Sequence, residues 1–294
     1  MTRLRALVVE RAGPLTTVQD LGRPGLAHLG VTRGGAADRS SLRLANRLVA
    51  NREGAAALEV TLGGLVLTSL VPVTIAVTGA GCPIVVAGRR VAAAAPVAVA
   101  AGAELALGPA TTGLRAYLAV RGGIAVAPVL GSRSWDGLAG LGPRPLADGD
   151  LVPLGDVPGA EVEGRPAVDH AAVPGLPGGG EPVRLRAVPG PDAGRLPPAE
   201  LDRLWTQLWQ VAVHSDRVAV RLAAAAGLRR EPGEVAPTGL VRGAVQLPPS
   251  GLPLIFLADH PVTGGYPVVA VLRDAEVDRA AQLRPGQPVQ LVRY

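Results

Sequence analysis

Glycine and proline set the tightest limit on what this chain can fold into. Its 294 residues include 39 Gly and 28 Pro, more than one position in five. In a helix interior Gly costs about 1 kcal/mol and Pro about 3 kcal/mol relative to Ala. Such frequent punctuation cuts the chain into short segments and disfavours a helical bundle. Apolar residues fill 48% of the positions, mostly as Ala, Val and Leu, which argues against disorder. Short apolar or β-branched runs bounded by Gly or Pro predict strands at residues 4–9, 73–77, 84–87, 104–107, 116–120, 183–188, 254–258, 268–272 and 289–292. Many are spaced as in barrels and sandwiches.

Three helices are predicted. Asp38 is placed to cap one over residues 39–49, with Leu42, Ala45, Leu48 and Val49 on one face. Pro197 and Pro198 precede a second over 199–209, where Leu201, Leu204, Trp205 and Leu208 repeat at helical spacing. Asp274 is expected to cap a third over 275–283. Residues 156–182 lack periodicity and are rich in Pro and Gly, so they read as a linker. The linker divides the chain into an N-terminal lobe, 1–155, and a C-terminal lobe, 183–294.

Composition excludes several chemistries. There is no lysine; all 29 basic residues are Arg. A Schiff-base lysine, a P-loop lysine and covalently bound biotin are therefore ruled out. The net charge is only +5 and the Arg residues are scattered, so nucleic acid is not an expected partner. The single Cys82 precludes an internal disulfide and reads as a buried or turn thiol. The four His have no metal-ligand spacing, so no metal site is expected. The N-terminal apolar run is too short for a signal peptide. The longest apolar stretch, 91–103, is interrupted by Pro96 and too short for a bilayer. The expectation is a soluble cytoplasmic protein with no membrane partner.

Two polar blocks stand out. Thr16 to Arg23 carries Gln19 and Asp20, and a second polar turn, Gly30 to Asp38, follows it. Gln246, Asp259, His260, Thr263 and Tyr266 sit in a Gly- and Pro-rich frame near the C-terminus. The Thr263-Gly264-Gly265 stretch can present a hydroxyl and backbone amides to an anion or carbonyl. Asn46 lies inside the first predicted helix, where Asn is a poor helix former. Glu59 either faces solvent from an alternating strand or needs an Arg partner. Arg121 beside Gly122-Gly123, Arg133 in Gly131-Ser132-Arg133-Ser134, and the polar knot Ser215-Asp216-Arg217 complete the candidates.

Taken in order, TTVQDLGRPG, GGAADRSSLRLANRLVAN, LEVTLGG, RAYLAVRGGI, GSRS, SDR, GAVQLPPSG and ADHPVTGGYP resemble the family of 5-oxoprolinase C subunits, also described as allophanate hydrolase subunit 2-like. That family is similar to part of the carboxyltransferase region of urea amidolyase. Three departures bear on pocket shape more than on fold. Gly34-Gly35-Ala36-Ala37-Asp38 replaces the usual Ser-Gly-Ala-Met-Asp, Val218-Ala219 replaces Met-Gly, and Trp135 stands where Thr is common.

The resemblance implies a mainly β protein of two cyclophilin-like β-barrel lobes with a few short helices. It implies a component that, with B-type and A-type partner subunits, uses ATP with Mg2+ to open 5-oxoproline (pyroglutamate), a cyclic amide, to glutamate. On that reading Gln19, Gln246 and the Thr263, Gly264 and Gly265 amides polarise the lactam. Asp20, Asp38 or Asp259 serves as a base, and Arg121, Arg133 or Arg217 clamps the carboxylate. Asn46, Ser215, Asp216 and Tyr266 line the substrate site. The alternatives are carboxyl transfer to urea from a separate biotin carrier, or a non-catalytic regulatory partner of a kinase-inhibitor-like B-type subunit.

Overall fold

The computed structural model describes residues 4–157, 170–172, 180–231 and 235–294, so most of the expected linker lies outside the described residues. The chain separates into two compact units. One comprises Met1–Arg23 and Asp38–Leu176, the other Pro24–Ala37 and Pro177–Tyr294. A simple division into 1–155 and 183–294 does not anticipate that Pro24–Ala37 belongs with the second unit.

The N-terminal unit encloses its core between two antiparallel sheets. One runs Leu151–Pro153, Ala6–Arg11, Val66–Ser69, Glu104–Leu107, Ile84–Val86, Arg89–Val91. The other runs Leu15–Gln19, Ala57–Thr61, Thr112–Val120, Val73–Gly81, Val97–Val99. Val9, Leu67 and Leu107 of the first sheet and Val18, Leu58, Val60, Ile75 and Leu118 of the second share one apolar cluster. Here two open sheets, rather than a hydrogen-bonded ring, form the enclosure.

Alternation sends the next residues to the opposite face of the five-stranded sheet. Thr17, Glu59, Tyr117 and Thr78 are paired in register across four strands. All four are buried. Helix α1 (Arg39–Leu48) binds this face, since Thr78 Oγ1 donates to the Ser41 carbonyl at 2.7 Å. Asp38 caps α1 by accepting from Ser41 N at 2.9 Å, and its own N–H donates to Tyr117 Oη at 2.7 Å. The Tyr117 hydroxyl in turn donates to Glu59 Oε2 at 2.8 Å. Of the two readings of Glu59, the structure selects the buried one, with Arg115 Nε at 3.6 Å. Burial, then the nearby Glu59 and Asp38 charges, raises the Tyr117 pKa well above its ordinary value. The phenol therefore stays protonated and available as a donor.

The C-terminal unit is a closed seven-stranded barrel. Its ring order is Val183–Pro189, Val268–Leu272, Ala244–Gln246, Leu254–Phe256, Ala219–Ala223, Trp209–Val211, Pro288–Arg293. A parallel pairing of the first and last strands closes the ring. Leu185, Trp209, Val245, Ile255, Val269 and Leu291 belong to its core. Helix α2 (Pro198–Thr206) contributes Leu204, and helix α3 (Asp274–Ala280) contributes Val277 and Ala280.

Two helix expectations are corrected. α2 stops at Thr206, because Gln207 turns extended and Trp209 begins a barrel strand. Trp209 is fully buried there, and burying an indole outweighs another helical turn. In α3, Arg273 holds the N-cap position without a side-chain bond, and Asp274 is the first helical residue. The Asp274 carboxylate pairs with Arg242 instead of capping.

Asn46 fastens the end of α1. Its Nδ2 donates to the Glu53 and Ala55 carbonyls at 3.3 and 2.7 Å, and its Oδ1 accepts from Asn51 Nδ2 at 3.0 Å. Its poor helix propensity is offset by three bonds to the following loop, a structural role that accounts for its place in the helix. Asn46→Ala is expected to lose about 2 kcal/mol by removing the three bonds that tie the helix end to the following loop. A urea titration checks this; an unchanged midpoint would show that water replaces the amide.

Candidate functional site

In the N-terminal unit the strand Leu15–Gln19 delivers Gln19 and Asp20 to its end. The Ser132–Asp136 loop runs along that strand, with Trp135 N–H donating to the Val18 carbonyl at 3.0 Å. Asp20 organises this loop. Its Oδ1 accepts from Ser132 Oγ at 2.7 Å, Ser134 Oγ at 2.5 Å and Gly22 N at 2.7 Å. Its Oδ2 accepts from Arg133 N at 2.7 Å. Three donors converge on Oδ1 and one on Oδ2, so both oxygens of Asp20 help to hold the loop. Asp20 is therefore a positioning residue for this loop. Arg23 tightens the loop from below by donating from Nη2 to the Ser134 carbonyl at 2.6 Å.

Gln19 is held differently. Its Nε2 donates to Thr17 Oγ1 at 3.1 Å and to the Trp135 carbonyl at 3.0 Å. Those acceptors fix the amide orientation, because a flipped amide would set oxygen against carbonyl oxygen. The Oε1 is left buried with no hydrogen-bond partner. Native structures satisfy nearly all buried polar atoms, so this orientated acceptor suits a donor from an ordered water or a ligand. Arg133 lies beside Ser132 and Ser134 in the loop and spends Nε on the Val126 carbonyl at 2.8 Å.

In the C-terminal unit, Arg217 and Asp259 form a buried two-pronged ion pair, with Nε and Nη2 at 2.9 and 3.0 Å from the two carboxylate oxygens. The same Nη2 donates to the Gly35 carbonyl at 2.6 Å, and Arg242 donates to the Ala37 carbonyl at 2.8 Å. The two arginines thus fasten the segment Pro24–Ala37 to the barrel. Each member of the Arg217–Asp259 pair neutralises the other, so neither is the free clamp or base expected from sequence.

Beyond Asp259 the chain turns. His260 Nδ1 lies 2.7 Å from the Pro261 carbonyl, which makes Nδ1 the protonated nitrogen. Thr263–Gly264 then pairs with Thr238–Gly239 in a short ladder. Gln246, buried in its barrel strand, reaches this turn through Nε2 to the Tyr266 carbonyl at 2.9 Å. A Cβ at Gly264 would come within 2.5 Å of that Nε2, so the glycine permits the approach. Gln246, Thr263, Gly264, Gly265 and Tyr266 are thus brought together, with Tyr266 exposed.

Other candidates lie apart within their units. Asp38 is accounted for by capping α1 and by its bonds to Ser40 and Ser41. Ser215 and Asp216 shape a surface turn: Asp216 Oδ1 accepts from Val218 N and Ala219 N, and Ser215 Oγ from Arg221 N. Arg121 lines a separate cleft. Burial pushes the Cys82 thiol up to about 11, which leaves it un-ionised near neutrality. Sequence reasoning did not single out Ser132 and Ser134 as the residues gripping Asp20. Their i, i+2 spacing around Arg133 was the available signal. Nothing local pointed to Arg242.

A model of the carboxyltransferase domain, subdomain A and B, matches residues 29–293. The chain belongs to the carboxyltransferase-domain family. Within this family, the C subunit of 5-oxoprolinase from Escherichia coli (strain K12) is 38% identical over 97% of this chain and 90% of its own. The solved structure of TTHA0988 superposes with a TM-score of 0.85 at 37% identity, over 99% of this chain and 56% of that one. K. lactis urea amidolyase gives a TM-score of 0.88 at 30% identity, and this chain spans 19% of it. The ordered motifs and the mainly β expectation are borne out by these likenesses. The relatives also frame the assembly: one is named as part of a multi-component enzyme, and in urea amidolyase the domain is embedded in a much longer chain. Among the described residues no helix is long and apolar enough to cross a membrane.

Proposed function

We propose that this chain is the C subunit of an ATP-dependent 5-oxoprolinase, opening 5-oxoproline to glutamate with B-type and A-type partner subunits in the cytoplasm. The observation that carries the proposal is the 38% identity to the Escherichia coli protein over nearly the whole of both chains. The chemistry of the polar residues supports it. A lactam offers an N–H donor and a carbonyl acceptor, and recognition needs a neutral partner for each. Gln19 holds an open buried acceptor, Oε1, for the N–H. Within the C-terminal unit taken by itself, Gln246 and the Thr263–Gly265 turn gather amide groups of a kind that binds anions. Arg133 is assigned to the substrate carboxylate, because Arg217 is committed to Asp259.

Asp20, Asp38 and Asp259 act as positioning residues in this scheme. ATP with Mg2+ is assigned to a site shared with the partners. Among the described residues no three His, Cys, Asp or Glu side chains gather in a metal-binding group.

Phosphate release from ATP, dependent on 5-oxoproline, tests the proposal with this chain alone and mixed with its partners. Activity confined to the full mixture is expected. A stable complex that hydrolyses no ATP in response to 5-oxoproline would overturn it and favour the regulatory reading. The likeness to urea amidolyase supports a second reading, carboxyl transfer from a separate biotin carrier. Carboxylation of urea dependent on added biotin carrier is the result that would favour it.

A further inference from the structure

Arg5 and Arg121 share a cleft of about 530 Å3 in the N-terminal unit, walled by Val73, Thr74, Ala98, Val99 and Val157. Backbone pairing brings the two guanidinium groups to one place. Leu154 N–H donates to the Arg5 carbonyl at 2.9 Å, and Gly155 N–H donates to the Gly123 carbonyl at 3.0 Å. Arg5 Nε donates to the Gly155 carbonyl at 3.4 Å. Residues 154–155 thus tie the start of the first strand to the turn after Arg121. Gly122, at φ +95°, sits against that same segment, where a Cβ would come within 2.6 Å of the Gly155 carbonyl. Arg121 is anchored from its other side by its N–H to the Thr74 carbonyl at 2.8 Å.

Both side chains carry unused donors. Arg5 Nη2 and Arg121 Nε are buried atoms without a hydrogen-bond partner. Among the described residues no Asp or Glu lines the cleft, so its two positive charges are not balanced from its walls. Both side chains are only partly buried, and an anion in the cleft can pair with the N–H groups they leave unused. The walls narrow the choice of anion. They are mainly aliphatic, which suits an anion carried on an apolar body, and the planar arginine fork matches a carboxylate. The volume falls within the range of small-molecule sites.

We propose that this cleft binds a small organic carboxylate through Arg5 and Arg121, with the apolar body of the ligand against Val73 and Val99. The inference is independent of the oxoprolinase reading and uses no activity measurement.

Ligand-observed NMR titration of the full chain tests it, using cyclopentanecarboxylate, its neutral carboxamide and inorganic phosphate as probes. The carboxylate is expected to bind at least about tenfold more tightly than the carboxamide, the size of one charge-assisted hydrogen bond. R5Q and R121Q should each erase that preference while leaving the thermal midpoint and the carboxamide titration unchanged. A98W, which blocks the cleft and spares both arginines, should abolish binding of both ring compounds. Equal binding of carboxylate and carboxamide would overturn the proposal. So would unchanged carboxylate affinity in folded R5Q and R121Q. Tighter binding of phosphate than of the carboxylate would overturn the carboxylate assignment.

Discussion

Replacing Asp20 by Ala is expected to destabilise the protein by about 3–4 kcal/mol, near the upper end for single substitutions. The carboxylate holds four donors: Ser132 Oγ, Ser134 Oγ, Arg133 N and Gly22 N. Its removal strands these groups in a buried loop and frees the stretch that carries the Gln19 contact at Trp135. Asp20→Asn should cost less, because one oxygen remains for the serines while the new NH2 opposes Arg133 N. Chemical denaturation of the three proteins gives the order: wild type, then Asn, then Ala. If Asp20 were a free catalytic base, Asp20→Ala would fold with wild-type stability and lose only turnover.

The second large effect concerns Arg217 and Asp259. Both are buried, with side chains 5% and 2% exposed, so removing either leaves an uncompensated charge. Arg217→Met or Asp259→Leu alone is expected to lose about 3–5 kcal/mol, whereas the double replacement should recover most of it. The cycle should give a coupling near the top of the usual range, roughly 3 kcal/mol. Two single losses that simply add would show that the pair does not act as a unit. Arg217 also holds the Gly35 carbonyl, so the double variant should remain slightly weaker than wild type.

Several strands were legible as apolar runs bracketed by Gly or Pro, although Val66–Ser69, between Gly64 and Pro72, was not among those predicted. The run at 104–107 appears as Glu104–Leu107 and that at 268–272 as Val268–Leu272. The sequence reading treated Leu15–Gln19 only as a polar block. That strand is buried on both faces, Val18 toward the core and Thr17 toward the row under α1, so it lacks the alternation of a half-exposed strand. The two polar blocks were legible as special because Gln and Asp are unusual between glycine-bounded apolar runs. Their roles were not legible, because the partners that define them are remote. Asp20 meets Ser132 and Ser134 more than a hundred residues on, and Arg217 meets Gly35 across a longer separation still. A carboxylate that holds a loop together and one free to act as a base look the same in sequence. The unmet Oε1 of Gln19 emerges only once Thr17 and Trp135 are seen to take both of its N–H bonds.

The most direct test of the account is the 5-oxoproline-dependent phosphate release of a reconstituted complex carrying Gln19→Leu. The account predicts a folded complex whose turnover falls about a hundredfold, the usual size for loss of one preorganised polar contact to the reacting group. A folded Gln19→Leu complex with full turnover would contradict it.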